Sequence, residues 1–359
     1  MTLSYRRRLA SAAAALALAG SAQAQQQEVP VPPAIEALAR TVAAELAARC
    51  PLAPAGDVAA FSACRAALHG DSALRAQLPK IVLWGRQNPD PKVSLRRTNL
   101  TQFSPDTWTH LYAPLFMFNG RHQVQWVADE RKFVIRLEAA FRNRLPPGQF
   151  PYPFWHEEVK WSTYENANGW LLWVDPVTTR IQVAQFTRRA DNALLQSVQH
   201  VQHEFDGKWM WTDAGGKTQP AVTLFDGLYR SENPHLKALD RQYRDLALQL
   251  RESQCANCHV PDNPDKSSRL VLLSTPAHAA GEIDRLIKSV REDRMPMDEN
   301  RLSYALTPEN KQWLLESAEA FRSTVQAARK WESEAAAGRS ASPVAWQPAV
   351  AGTQGEVRK

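Results

Sequence analysis

Cys255 and Cys258 stand three positions apart, and His259 follows the second directly, in the stretch "QCANCHV". Two thiols at this spacing can close a disulfide, ligate a soft metal, or each add to a vinyl group on one edge of a porphyrin. A structural zinc wants a second Cys or His pair. The remaining cysteines, Cys50 and Cys64, lie far upstream and look paired with each other. The histidine favours the porphyrin, because an imidazole next to the second thioether sits under the ring and reaches iron. C-x-x-C-H is the attachment pattern for covalent haem. The expected cofactor is one haem c, held by Cys255 and Cys258, with His259 as proximal iron ligand.

A candidate sixth ligand follows in "REDRMPMDEN", where Met295 and Met297 flank Pro296. A polar run gains little by burying two thioethers unless something soft binds them. Met295 directly precedes the proline and Met297 follows it. An axial thioether raises the potential and fills the sixth position, which favours electron transfer over ligand chemistry.

These residues need helices to carry them. Leu236, Leu239, Tyr243, Leu246 and Leu250 form one stripe on a helix leading into Cys255. Ile283, Leu286, Ile287 and Val290 mark a second helix, which leads into the methionine loop. Thr307 is a good N-cap with Pro308 at N1 for a third, on which Trp313, Leu314, Ser317 and Phe321 share a side. The order of helix, C-x-x-C-H, loop, helix, Met-Pro and helix resembles the class I cytochrome c family over about residues 233–330. The resemblance implies an all-α domain, His259 as proximal ligand and a methionine beside a proline as distal ligand, with Met295 preferred because it precedes Pro296 as in the family's Met-Pro pattern and Met297 as the alternative. Arg269, Arg285, Lys288 and Arg294 are cations within reach of haem propionates by sequence.

The upstream residues read differently. Residues 1–24 have a basic start at Arg6, Arg7 and Arg8, a short Ala/Leu core and Ala22-Gln23-Ala24, the pattern of a cleaved signal peptide. Residues 25–90 read as a small helical unit whose Cys50 and Cys64 form a disulfide, with Asp57 as N-cap of its second helix. Residues 91–232 are Trp-rich, with turn signals at Asn168-Gly169, Asp206-Gly207 and Gly215-Gly216. They predict an antiparallel β-rich domain, with a strand at 180–186 and a helix near 131–144 carrying Val134, Leu137, Ala140 and Phe141. Residues 331–359 read as the fraying end of a helix followed by a disordered tail. The fold class expected is multidomain α+β.

Removal of the three leading arginines lowers the formal charge from +6 to +3. That is no nucleic-acid footprint, though a mildly basic face can steer an acidic redox partner protein. Export, the disulfide and haem attachment together predict a soluble periplasmic protein with no membrane span after cleavage. A Trp-rich β domain ahead of C-x-x-C-H also resembles the cytochrome P460 and cytochrome c′-beta group. That likeness implies an enzyme with an open iron site for a small nitrogen or peroxide substrate, with Lys160 as a conceivable match for that group's haem-linked lysine. Elsewhere, His156, Glu157 and Glu158 fail the H-E-x-x-H pattern, and His200 and His203 share a face only on a helix. His110 reads as a loop residue.

Overall fold

The computed structural model describes residues 29–90, 92–98, 100–145, 149–150, 164, 166–188, 204–205, 211–212, 218–219, 224–255, 259, 276–297 and 305–340. Helix α1 spans Pro33–Arg49, with proline at its start, Glu36 in its first turn and Arg49 in its last, all suited to the helix dipole. Ile35, Ala39, Val42, Ala43 and Leu46 make its buried face, which packs on strand β3. Helix α2, Val58–Leu68, is capped by Asp57, whose carboxylate accepts the Ala60 N–H at 2.9 Å. Cys50 and Cys64 are disulfide-bonded as predicted. A short α3, Ala73–Ala76, follows.

Six strands build the main sheet: β1 (Val82–Arg86), β2 (Thr101–Phe103), β3 (Phe116–Val127), β4 (Lys132–Phe141), β5 (Ala167–Val174) and β6 (Ile181–Arg188). Their order is β2-β1-β6-β5-β4-β3. The sheet is mixed, correcting the antiparallel expectation, because β1 lies parallel to β6 while the other neighbours run antiparallel. Strand β1 comes from the end of the stretch read as helical, where Val82 and Trp84 alternate inward. Residues 204–205, 211–212 and 218–219 form strands β7, β8 and β9 of a small antiparallel sheet. The turn signals Asp206-Gly207 and Gly215-Gly216 between them lie outside the described residues.

The expected helix near 131–144 is strand β4. It is flanked by β3 and β5, with Phe133, Ile135, Leu137 and Phe141 buried on the core face and Arg136 and Glu138 exposed on the other, a period of two that the apolar Val134 and Ala140 of the second face blur. Phe133, Ile135 and Leu137 join the main core, while Val134 packs on the opposite face with Leu171, Trp173 and Val183. Asn168-Gly169 is likewise no hairpin turn. It opens β5 at an irregularity, where a Cβ on Gly169 would stand 2.8 Å from Thr187 Oγ1. The core beneath the sheet is aromatic: Trp84, Trp108, Phe116, Trp170 and Phe186 lie in mutual ring contact.

Between β2 and β3 the chain makes a three-residue turn, α4 (Pro105–Thr107), continuing into a π-helix at Trp108–Tyr112. Three long helices close the fold: α5 (Leu236–Glu252), α6 (Pro276–Arg291) and α7 (Pro308–Ser340). Thr307 caps α7 as predicted, its hydroxyl accepting the Asn310 N–H at 3.3 Å. One expectation for this region is corrected. Trp313 is 52 % exposed, because the buried stripe is Leu314, Ala318, Phe321, Val325 and Ala328, one step around the helix. The helix runs past Lys330 to Ser340, and Glu332 is anchored there by Arg230 and Asn233.

One continuous cluster of buried side chains joins α1, the sheet and α5–α7. Helix α6 approaches α4 so closely that a Cβ on Gly281 would lie 2.7 Å from Ser104 Oγ, and Thr107 donates to Ala277 O at 3.1 Å.

Candidate haem site

Helix α5 brings the motif to the core. Leu239, Tyr243, Leu246 and Leu250 are buried at helical spacing, and Tyr243 packs against Phe321 of α7 with ring centres 6.0 Å apart. The helix ends where Ser253 N–H donates to Gln249 O at 2.9 Å and Gln254 takes a positive φ of 61°. Beyond it, His259 N–H donates to Cys255 O at 3.1 Å, which holds the first and last residues of the motif together. Cys255 and His259 are both half-buried, and Cys255 packs against the main core. Cys258 lies outside the described residues. The disulfide joins Cys50 to Cys64 and so takes neither motif cysteine.

Met295 and Met297 belong to a separate turn at the end of α6. Asp293 adopts a left-handed φ of 51°, and the N–H groups of Arg294 and Met295 both donate to Ser289 O, at 2.9 and 3.3 Å. This closes the helix end as a left-handed cap does. Lys311 of α7 fixes the same corner, donating to Asp293 Oδ1 at 2.6 Å and to Arg291 O at 3.3 Å. Met295 is half-buried, whereas Met297 is 36 % exposed. Helices α5 and α6 both pack on α7, so the two segments hang from one three-helix frame. Of the cations considered for propionates, Arg285 is engaged by Glu282 at 2.8 Å and Gln102 at 3.2 Å, and Arg294 by Glu292 at 2.5 Å. Lys288 is exposed, and Arg269 lies outside the described residues.

A second cluster escaped the sequence reading. His110, read as a loop residue, is buried in the π-helix and stacks on His69, with ring centres 4.0 Å apart and planes at 19°. Such π-turns often mark functional sites. Consecutive carbonyls hold the two rings: His69 Nε2 donates to Gly227 O at 2.9 Å and His110 Nδ1 to Leu228 O at 3.0 Å. Burial lowers the His110 pKa to about 4, although Asp106 works the other way. Burial works to raise the Asp106 carboxyl, but His110, Arg75 and Arg329 outweigh it and hold it below the usual range. Asp106 pairs with Arg75 and lies 3.7 Å from Arg329 Nε. Gly227 has a φ of +79°, and a Cβ there would meet Arg65 Nη1 at 2.9 Å. Only that glycine hinted at the cluster in sequence, since its members come from four separate segments.

His156, Glu157, Glu158, Lys160, His200 and His203 lie outside the described residues. Among the described residues, no group of three or more His, Cys, Asp or Glu is arranged to hold a metal ion. No helix there is long and apolar enough to cross a membrane. No protein-family model, curated protein or solved structure matches the chain.

Proposed function

We propose that this chain is a periplasmic c-type cytochrome with one covalent haem, serving in electron transfer or as the haem subunit of an oxidoreductase. The observation that carries this reading is the backbone hydrogen bond from His259 N–H to Cys255 O just past the end of α5, which draws the two ends of the C-x-x-C-H motif together. Beside it, the Met295 turn at the end of α6 shares the support of α7. When bound, the haem supplies a one-electron couple. Cys255 and Cys258 hold it as thioethers, and His259 gives its imidazole to iron. Met295 is the distal ligand, preferred over Met297 because its side chain is the more sheltered. A thioether there favours the reduced state and keeps exogenous ligands away. The formal charge of +3 left after signal removal suits steering toward an acidic redox partner.

The P460-like reading, with an open iron site, needs a haem chamber inside the β domain. The described sheet carries packed side chains on both faces, Trp170 and Leu172 on one and Leu171 and Trp173 on the other. That packing weighs against a chamber there.

Two measurements on protein produced with haem-maturation machinery test the proposal. The intact mass after denaturation should include one haem, and Cys255→Ser with Cys258→Ser should lose it. Met295→Ala should abolish the weak ferric charge-transfer band of a Met–iron bond, while Met297→Ala should keep it. A chain that releases its haem on denaturation would refute the attachment. A band untouched by either methionine change would refute the distal assignment.

A further inference from the structure

The stacked histidines line a cleft of about 550 Å³ between α2, the π-helix, the 225–233 turn and α7. It continues past His69 and Tyr229 into a second lobe of about 480 Å³. Each lobe is large enough for a small metabolite and far larger than one water needs.

Its wall holds three guanidiniums, Arg75, Arg230 and Arg329. Two carboxylates face them inside the cleft. Asp106 is shared between Arg75 and Arg329, and Glu332 Oε2 lies 3.5 Å from Arg230 Nε and 3.9 Å from His69 Nδ1. A third, Asp71, stands at the exposed rim, where water screens it. In this lobe three guanidiniums thus face two enclosed carboxylates, and the second lobe adds Arg65 with the exposed Asp226 and Glu232. Arg230 Nη1 is buried with no hydrogen-bond partner among the described residues; Asp106 Oδ1 and Glu332 Oε2 also lack a hydrogen bond there, but each pairs with an arginine. A buried charged donor without a partner costs free energy that an incoming acceptor would offset.

A neutral acceptor stands beside the two carboxylates. His110 is 8 % exposed, and its Nδ1–H is committed to Leu228 O. The ring is neutral near pH 7 because burial holds its pKa to about 4, so Nε2 keeps its lone pair. No described residue hydrogen-bonds that nitrogen, and the ring lines the cleft. The site therefore offers guanidinium donors for an anionic group and an imidazole acceptor for a donor group.

We propose that this cleft binds a small organic acid that also carries a hydroxyl or amino donor, with its carboxylate against Arg230 and Arg329 and its donor against His110 Nε2. A simple inorganic anion satisfies the arginines but leaves the histidine and most of the volume unused. The site is independent of the haem reading, because none of its residues belongs to the C-x-x-C-H or methionine segments.

Calorimetric titration of the full chain with lactate, malate, glycine and aspartate, against acetate and inorganic phosphate, tests this. At least one of the first four should bind about tenfold more tightly than acetate or phosphate. A preference for lactate and malate identifies hydroxy acids, and one for glycine and aspartate identifies amino acids. Ala66, exposed on α2 and lining both lobes, is a position where Ala66→Trp should fill the cleft and abolish binding. Arg230→Gln should weaken every acid, and His110→Phe should erase the preference over acetate. The proposal is overturned if none of the four binds, if acetate or phosphate binds as tightly, or if Arg230→Gln leaves the affinities unchanged.

Discussion

His110 ties stability to pH through a single enclosed imidazole. Its folded pKa is lowered from 6.5 to about 4 by burial, with Asp106 opposing and Arg75 and Arg329 adding to the shift. A depressed folded value means the unfolded chain binds the proton first as pH falls. The stability from the neutral ring is therefore complete above about pH 6.5 and lost progressively down to about pH 4, a change of about 3 kcal/mol. The lowered Asp106 pKa works in the same direction, removing further stability at still lower pH. Urea melts across this range should show the fall, and His110→Phe should flatten it between about pH 6.5 and 4. An unchanged slope in the variant would contradict the neutral, buried assignment. At the candidate haem site, Met295→Ala should lower the reduction potential, since the axial thioether favours the reduced state. Voltammetry of the variant beside Met297→Ala checks this, and a larger drop for Met297→Ala would reverse the preference.

Two elements owe their placement to single close contacts. The disulfide between Cys50 and Cys64 staples α1 to α2 across a sequence separation of 14 residues, a loop for which such a bond contributes about 3 kcal/mol. Cys64→Ser should lower the denaturation midpoint accordingly. Gly281 lets α6 lie against α4, and Gly281→Ala forces a methyl group to within 2.7 Å of Ser104 Oγ. Overpacking of this kind costs about 1–3 kcal/mol, so thermal melts should show a clear drop; an unchanged midpoint would mean that α6 can shift freely.

Residue chemistry made some of these elements readable in advance. The Asp57 and Thr307 caps, the cysteine pair and the stripe on α5 each express a local rule that the structure obeys. Strand β4 defeated the same reasoning. Val134, Leu137 and Phe141 satisfy helical spacing only because Val134, on the face opposite Leu137 and Phe141, packs on Leu171, Trp173 and Val183 of strands that lie elsewhere in the chain. His110 was unreadable for a related reason. Its partners are His69, the carbonyl of Leu228 and Asp106, and two of those three are distant in sequence.

At the scale of the whole molecule, the segments read as separate units share one core. Polar ties reinforce it: Glu332 of α7 accepts from Arg230 N–H and Asn233 Nδ2, and Arg329 Nη2 donates to Ala280 O of α6. The helices that carry the candidate haem segments are thus locked against the sheet and the N-terminal hairpin. The acid-binding cleft lies along the same seam, between α2 and α7. A ligand in the cleft should therefore raise the melting temperature of the entire fold as one transition, which calorimetry can read directly; a second, unshifted transition would show that the parts unfold apart.

The central claim is a six-coordinate haem devoted to electron transfer, and the visible spectrum of the reduced holoprotein with and without carbon monoxide tests it most directly. The account predicts a sharp low-spin α-band that carbon monoxide leaves in place. A high-spin spectrum that shifts at once on adding carbon monoxide would contradict it.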